Sequence, residues 1–596
     1  MGDGKPVNDR VAQVTSSISG VTPTLSDITL NAGDFQNLAA SLDYAAQGNT
    51  GLNFHDARGR LREAVPYSEL RERALATARR FRSLGLERGD RVAVLAETTS
   101  TFPTVFFACQ YAGLVPLALP ASLNLGGHEA FVDQLRGLLG VARPRLVVTG
   151  EDFAAFVREA VDDPRGPSVY TPDELADMPQ GEGALEPTGP DETAYLQFTS
   201  GSTSTPRGVV IHQRAVMANL NGILRHGMGI GAEDRCVSWL PFYHDMGMVG
   251  MLLGPVASQR SVDYLGTRDF AVRPIQWLRL ISQNSATISF APPFGYNLCA
   301  RRLRESDLEA LDLSSWRVAG VGAELIRPEQ LEAFAEALAP AGFDASAFCP
   351  SYGLAEASLA VSFAARGSGL ECQWADTEAM ANDGVVRPPR GAEQGRRLVA
   401  CGRAMPGHEV VIRDRNGQPL GDGEIGHITI RGPSVMCGYD NDPEASRLAL
   451  DDEGWLRTGD LGCMTSAGLV ITGRSKDLII VNGRNIWPED VEQRVEAEAE
   501  LRSGDVSAFS IDGSDGNEEV VIVLQCRAQE AGSQAALCQQ AASVVQAHFG
   551  VCPVVDLVGP SGLPRTSSGK LSRSTARREF LERRARREMP TESAAD

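Results

Sequence analysis

The sequence predicts an α/β protein: a large N-terminal domain of parallel α/β sheets plus a small β-barrel, followed by a small α+β C-terminal domain. Three observations predict this. From residue 67 to about 342, helix-length amphipathic segments alternate with short apolar runs, the rhythm of parallel βαβ units. Between 409 and 430 the pattern changes to short strands split by Asn416-Gly417 and Gly421-Asp422-Gly423, which suits an antiparallel hairpin or small barrel. A second break falls at Gly473-Arg474-Ser475-Lys476-Asp477, and a compact helix and strand pattern follows it. A chain of 596 residues also exceeds what one hydrophobic core usually serves, so two or more domains are expected.

The first 42 residues or so are polar and irregular. In 67–86, apolar residues at Leu70, Ala74, Ala78, Phe81 and Leu84 mark one face of a helix. Residues 91–97 read as a strand, 102–112 as a mostly buried helix and 145–149 as another strand. Helix 215–228, strand 236–240, helix 274–286, strand 287–290 and helix 328–342 continue the alternation. Residues 364–397 are polar and Gly-rich and do not fit it. Beyond the second break come helix 488–500, strand 519–525, helix 534–548 and strand 554–558. The strongly basic 573–587 reads first as a solvated helix face.

Composition narrows the function. With 43% hydrophobic and 22% charged residues the chain is ordinary globular material. A net charge of -20 argues against general binding to nucleic acid or anionic membranes. No apolar run has the length of a membrane span, so no integral membrane segment is expected. The eleven cysteines are scattered, without a C-x-x-C pair or a histidine at metal-ligand spacing. Neither a zinc site nor a disulfide framework is expected, and a reduced, cytoplasmic protein is the simplest reading.

The chemistry begins at Thr199-Ser200-Gly201-Ser202-Thr203, where the apolar run 195–198 breaks into hydroxyls and glycines ahead of Pro206-Arg207-Gly208. Such a loop can turn tightly and aim several N–H and O–H groups at one anion. Its ordinary alternative is a flexible Ser/Gly surface turn. It is not a Walker A loop, because no G-x-x-x-x-G-K-[ST] occurs.

Five later places share the interest. Gly322-Ala323 lies in a small-residue turn after an apolar run. Ser351-Tyr352-Gly353-Leu354-Ala355-Glu356 sets an aromatic ring, a glycine and a carboxylate in one turn; the ring can stack on a base, and the acid suits Mg²⁺. Thr458-Gly459-Asp460 offers a carboxylate for ribose hydroxyls, Arg474 offers a cation, and Lys570 ends a Ser/Gly loop. Taken singly, each is an ordinary turn or surface residue.

Together and in this order, these motifs resemble those of the adenylate-forming superfamily of acyl-CoA synthetases, luciferases and peptide-synthetase adenylation domains. The loop departs from that family at Ser204 and Arg207, where glycine and lysine are common. The resemblance implies ATP and Mg²⁺ as cofactors. It implies that Thr199, Ser200, Gly201, Ser202 and Thr203 wrap the phosphates, and that Gly322, Ala323, Ser351, Tyr352, Gly353 and Ala355 line the adenine site. It implies that Glu356 binds Mg²⁺ and that Asp460 and Arg474 hold the ribose. Lys570 would bridge the substrate carboxylate and the α-phosphate, with Lys476 at a hinge. The implied domains are 1–473 for adenylation, 474–477 for the hinge and 478–596 for a mobile C-terminal domain.

Leu240-Pro241-Phe242-Tyr243-His244-Asp245-Met246-Gly247 further resembles the fatty acyl-AMP ligases, as do 42–45, 51–54, 107–113 and 483–485. His244 is a catalytic candidate whose alternative is a satisfied structural histidine. In that family the acyl-adenylate formed from a fatty acid passes to the phosphopantetheine of an acyl carrier protein in a polyketide, peptide or lipid pathway. No G-x-D-S carrier motif occurs here, so the carrier would act in trans. Residues 364–397 are the candidate family insertion. A medium- or long-chain acyl-CoA synthetase and a non-catalytic acyl or nucleotide sensor remain the alternatives.

Overall fold

Strands with both faces apolar need cover on both sides, and the alternation of helix and strand supplies it. The computed structural model describes residues 30–121, 127–163, 165–199, 206–391, 395–481, 484–512, 518–528, 530–565 and 571–588. Two large sheets dominate it. The nine-stranded sheet runs in the order Arg403–Ala404, Ala360–Phe363, Phe348–Gly353, Val318–Val321, Ile288–Ala291, Cys236–Ser238, Val262–Leu265, Gly51–His55 and Leu61–Pro66. Its central neighbours pair in parallel and its outer ones antiparallel. The seven-stranded sheet runs Gly438–Tyr439, Gly208–His212, Thr193–Phe198, Val115–Leu119, Arg91–Leu95, Leu146–Val148 and Ser168–Tyr170.

The helices expected in 67–86, 102–112, 274–286 and 328–342 appear as Tyr67–Ser83, Thr101–Ala112, Ile275–Gln283 and Pro328–Leu338. The one expected in 215–228 is composite: an α-helix, Gln213–Asn221, widens into a π-helical turn, Gly222–Gly227. A Cβ on Gly227 would come within 2.6 Å of the Phe363 ring, so the bare backbone lets this turn press against the sheet. Between the layers, Trp277, Tyr296, Trp316 and Phe334 meet edge-on, with ring centroids 5.1–5.3 Å apart along the chain of contacts. A charged staple lies inside as well. Asp263, 1% exposed, accepts from Arg235 Nε at 2.6 Å and lies 3.0 Å from His55 Nε2.

The expected small β-barrel is corrected to an open antiparallel sheet. Glu409–Arg413, Gly426–Arg431, Leu456–Thr465 and Gly468–Arg474 follow one another in that order, and the two edge strands do not pair with each other. Among the described residues no closed barrel occurs; four strands are too few to wrap around an interior. Residues 364–397 contribute a separate two-stranded antiparallel sheet, pairing Cys372–Asp376 with Gly395–Val399, and a π-helical turn, Ala379–Asp383.

The C-terminal α+β pattern is a three-stranded sheet, Val506–Asp512, Glu518–Gln525 and Val554–Val558, with helices Pro488–Glu498, Ala531–Phe549 and Arg573–Glu588. Separate apolar clusters pack on its two faces. The basic final helix is largely a solvated face, but Arg573 turns inward to Glu489 and Glu492, each at 2.7 Å, and to Asp477 at 3.4 Å. Among the described residues no helix is long and apolar enough to cross a membrane.

Candidate active site

Parallel strands end with their carboxyl termini on one side of a sheet, and ligands bind where those ends open. Val318–Val321 ends at Gly322-Ala323, Phe348–Gly353 ends at Tyr352-Gly353, and Cys236–Ser238 leads to Tyr243-His244. These ends line one cavity of about 680 Å³. Gly322 is bare where the chain passes the neighbouring strand, since a Cβ there would meet Ser351 O and Oγ at 3.0 Å. Ala323 takes a left-handed φ of 68°, which costs an L-residue energy and is the kind of strain that collects at binding sites.

The cavity lining includes every described candidate: Thr199, His244, Gly322, Ala323, Ser351, Tyr352, Gly353, Ala355, Glu356, Asp460, Arg474 and Lys476. Ser200, Gly201, Ser202, Thr203 and Lys570 lie outside the described residues.

Asp460 is almost fully buried and is held from two sides. Tyr352 O–H donates to its Oδ2 at 2.7 Å, and Arg474 Nε lies 3.3 Å from its Oδ1. Thr458 Oγ1 accepts from the Asp460 N–H at 3.1 Å, fixing the turn that carries it. Burial pushes the Asp460 carboxyl above its ordinary range, while Arg474 and Tyr352 pull it back. Two donors trained on the carboxylate serve its charged form, the form that accepts from ribose hydroxyls. Lys476 is open to solvent on one side yet hemmed by protein, and partial desolvation lowers its ammonium pKa.

Glu356 is half-buried, and Tyr439 O–H donates to its Oε1 at 2.8 Å. Desolvation raises its carboxyl, with the Tyr439 bond working in the opposite direction. The Arg207 guanidinium lies 5.4 Å from the centre of the Tyr439 ring and 3.5 Å from Asp442. Sequence reading missed Tyr439. It lies on the short strand Gly438–Tyr439, and pairing with Gly208–His212 is what brings it within reach of Glu356. His244 Nδ1 lies 2.8 Å from Asp245 Oδ1, which also accepts from the Met246 N–H at 2.7 Å. Sequence reading assigns Asp245 no role; the structure shows it beside the imidazole. Gln197 Nε2 ties the adjoining backbone down by donating to Tyr243 O at 2.8 Å.

At its apolar end the cavity is walled by Ile223, Met228, Phe290, Leu359 and Phe363. Two π-helical segments face this end, Gly222–Gly227 and Met246–Leu253. A polar mouth with carboxylates and cations thus leads into an apolar sleeve. Such a site can hold a charged nucleotide and the head of an amphiphilic acid while desolvating an aliphatic tail.

Known proteins are similar to this chain in sequence and fold. The family model described as AMP-binding enzyme matches residues 53–440. A Caulobacter vibrioides chain provisionally named acyl-CoA synthetase is 46% identical over 564 residues, covering 94% of this chain and 98% of its own. The medium-chain-fatty-acid–[acyl-carrier-protein] ligase JamA of Moorena producens is 31% identical over 585 residues, covering 94% and 95%. A structure reported under structural and functional studies of fatty acyl-adenylate ligases from E. coli and L. pneumophila superposes with a TM-score of 0.88. It is 46% identical and covers 94% of this chain and 100% of its own.

Proposed function

The chain belongs to the AMP-binding enzyme family and is an adenylate-forming ligase, and from that premise we propose that it activates a fatty acid with ATP and passes the acyl group to the phosphopantetheine thiol of an acyl carrier protein acting in trans. The observation that carries this reading is the single cavity joining the nucleotide-type residues Tyr352, Asp460 and Arg474 to the apolar sleeve of Ile223, Phe290 and Phe363.

A carboxylate is a poor electrophile until it carries a good leaving group. In the first half-reaction a carboxylate oxygen attacks the α-phosphorus of ATP, forming the acyl-phosphate bond while the bond to pyrophosphate breaks. Tyr352, Asp460 and Arg474 hold the nucleoside, and the sleeve excludes water from the acyl end. In the second, the thiol attacks the acyl carbonyl and AMP leaves. Lys570 is proposed to meet the negative charge that gathers in the first transition state, and His244, positioned by Asp245, to face the reacting carboxylate.

Glu356 fits Mg²⁺: it is a hard oxygen donor, and Mg²⁺ is commonly bound by one or two carboxylates plus substrate phosphates. When bound, the ion supplies charge neutralisation of the phosphate oxygens.

We assign the segment 364–397 the role of holding the hinge at 474–477 in its adenylating arrangement. Support comes from two adjacent arginines at its C-terminal end. Arg396 pairs with Asp490 on helix Pro488–Glu498, and Arg397 pairs with Glu332 at 2.7 Å and Glu329 at 3.0 Å on helix Pro328–Leu338. The segment therefore grips both sides of the joint.

Mass spectrometry of products from a fatty-acid panel with ATP, with CoA or a holo-carrier added, tests the reading. Acyl-adenylate and acyl-carrier without acyl-CoA is the expected result. Acyl-CoA as the main product would make the chain an acyl-CoA synthetase, and absence of ATP–pyrophosphate exchange would reject catalysis altogether.

A further inference from the structure

Away from the catalytic cavity, a groove of about 450 Å³ lies between the two-stranded sheet of Cys372–Asp376 and Gly395–Val399, helix Pro488–Glu498 and the end of helix Ala531–Phe549. Arg396, Arg484, Arg494 and Trp374 line it. Its chemistry is unbalanced in two respects.

The first concerns donors. Arg396 has a side chain only 10% exposed, and it spends Nη1 on Asp490. Arg396 Nη2 is buried and has no hydrogen-bond partner among the described residues, and the same is true of Arg484 Nε. Among the described residues, Arg484 makes only a 3.4 Å contact from Nη1 to Phe549 O. Buried guanidinium N–H groups are rarely left unmatched, because each forfeits a charge-assisted hydrogen bond. The acids on the groove do not meet this need. Asp490 is taken by Arg396 and Glu329 by Arg397, and Glu378 is exposed.

The second concerns Trp374, a large apolar side chain left 47% exposed on the same wall. It stands across the strand pair from Arg397. A Cβ on Gly395 would come within 2.9 Å of its Cε3, so the bare glycine lets the indole lie close over the strand. Planar donors beside an exposed aromatic face make a site for an anion attached to an organic group.

We propose that this groove binds a phosphate ester, its phosphate between Arg396 and Arg484 and its organic part against Trp374. Two sources present phosphate oxygens to these donors: the phosphopantetheine arm of an acceptor, which is a singly charged phosphodiester where it joins its carrier, or a small soluble phosphomonoester. Capture of an acceptor's arm rests on the carrier-transfer reading above; the anion site stands without it.

The test uses the full-length enzyme with a non-hydrolysable acyl-adenylate analogue filling the catalytic cavity. Calorimetric titrations are run with phosphopantetheine, pantetheine and glycerol phosphate. Phosphopantetheine is expected to bind, and pantetheine to bind at least about tenfold more weakly, since a charged hydrogen bond is worth roughly that factor. Arg484→Gln is expected to weaken phosphopantetheine by a similar factor, and Trp374→Ala to weaken it more than glycerol phosphate. Neither substitution should change ATP–pyrophosphate exchange. Phosphopantetheine binding tighter than glycerol phosphate assigns the groove to an acceptor's arm; equal binding of the two assigns it to a soluble phosphomonoester. Binding of neither ester, or binding indifferent to Arg484→Gln and to a folded Arg396→Gln, overturns the site. If the untreated enzyme forms no acyl-adenylate, the catalytic reading fails while this titration still reports.

Discussion

Asp490→Asn isolates the grip of segment 364–397 on the C-terminal side of the joint. Asp490 and Arg396 have side chains 17% and 10% exposed, so the ion pair is shielded and needs no large discount for solvent. Burial pushes the Asp490 carboxyl above its ordinary range against the pull of Arg396. Removing one member of a buried pair costs roughly 3–5 kcal/mol, because the other charge stays desolvated. On the proposed hinge, rotation of the C-terminal unit would return Arg396 to water and relieve that cost. The balance between adenylating and rotated arrangements should then move by about a hundredfold to a few thousandfold. Limited trypsin digestion reads this at Arg474 and Lys476, which line the catalytic cavity in the arrangement seen here. Faster cleavage there is expected, together with some acyl-CoA in the product mixture while acyl-adenylate persists. A folded variant with unchanged cleavage and no acyl-CoA refutes the grip; rejection of CoA must then arise at the acceptor's own binding surface.

Lys570→Ala should lower adenylate formation by on the order of a hundredfold or more while leaving ATP binding largely intact, since the contact belongs mainly to the transition state; single-turnover kinetics and nucleotide titration separate the two. Glu356→Gln keeps the shape and the Tyr439 contact but removes the charge, so activity should fall and recover in part at raised Mg²⁺; an unchanged Mg²⁺ dependence makes Glu356 a turn residue. Asp263→Asn bears on acid stability. Burial alone would raise the Asp263 carboxyl, but hydrogen bonds from His55 and Arg235 outweigh it and hold it below its usual range. A depressed carboxyl stabilises the fold fully above its unfolded value of about 3.9 and stops doing so as pH falls through the lower folded value. The gap in urea resistance between wild type and variant should therefore be constant near neutrality and close only below about pH 4; a gap that closes between pH 5 and 7 contradicts the assignment.

The candidate site motifs were legible from the chain. An aromatic four residues before an acid and a Thr-Gly-Asp turn announce themselves because such turns are set within a few residues, and the hydroxyl and glycine run at 199–203 announces itself by composition. The alternation of apolar runs and amphipathic helices determined the parallel sheets for the same reason: burial on both faces writes a pattern into each strand by itself. The barrel expected from the turns after Glu409 was not so determined. Turn residues fix where strands reverse, but closure depends on how many strands join and whether the last meets the first.

Tertiary structure alone decided which groups act as pairs. Tyr439 reaches Glu356 across 83 positions, Tyr352 reaches Asp460 across 108, and Arg396 reaches Asp490 across 94. No periodicity spans such distances. The Tyr439 contact follows from an antiparallel pairing of Gly438–Tyr439 with Gly208–His212, two residues long and invisible in hydropathy. The Arg396 contact follows from a strand whose adjacent arginines point to opposite faces, one to each helix it joins. The sequence determined the candidate groups; the register of the strands chose their partners, because alternation across a strand turns a shift of one residue into a different neighbour.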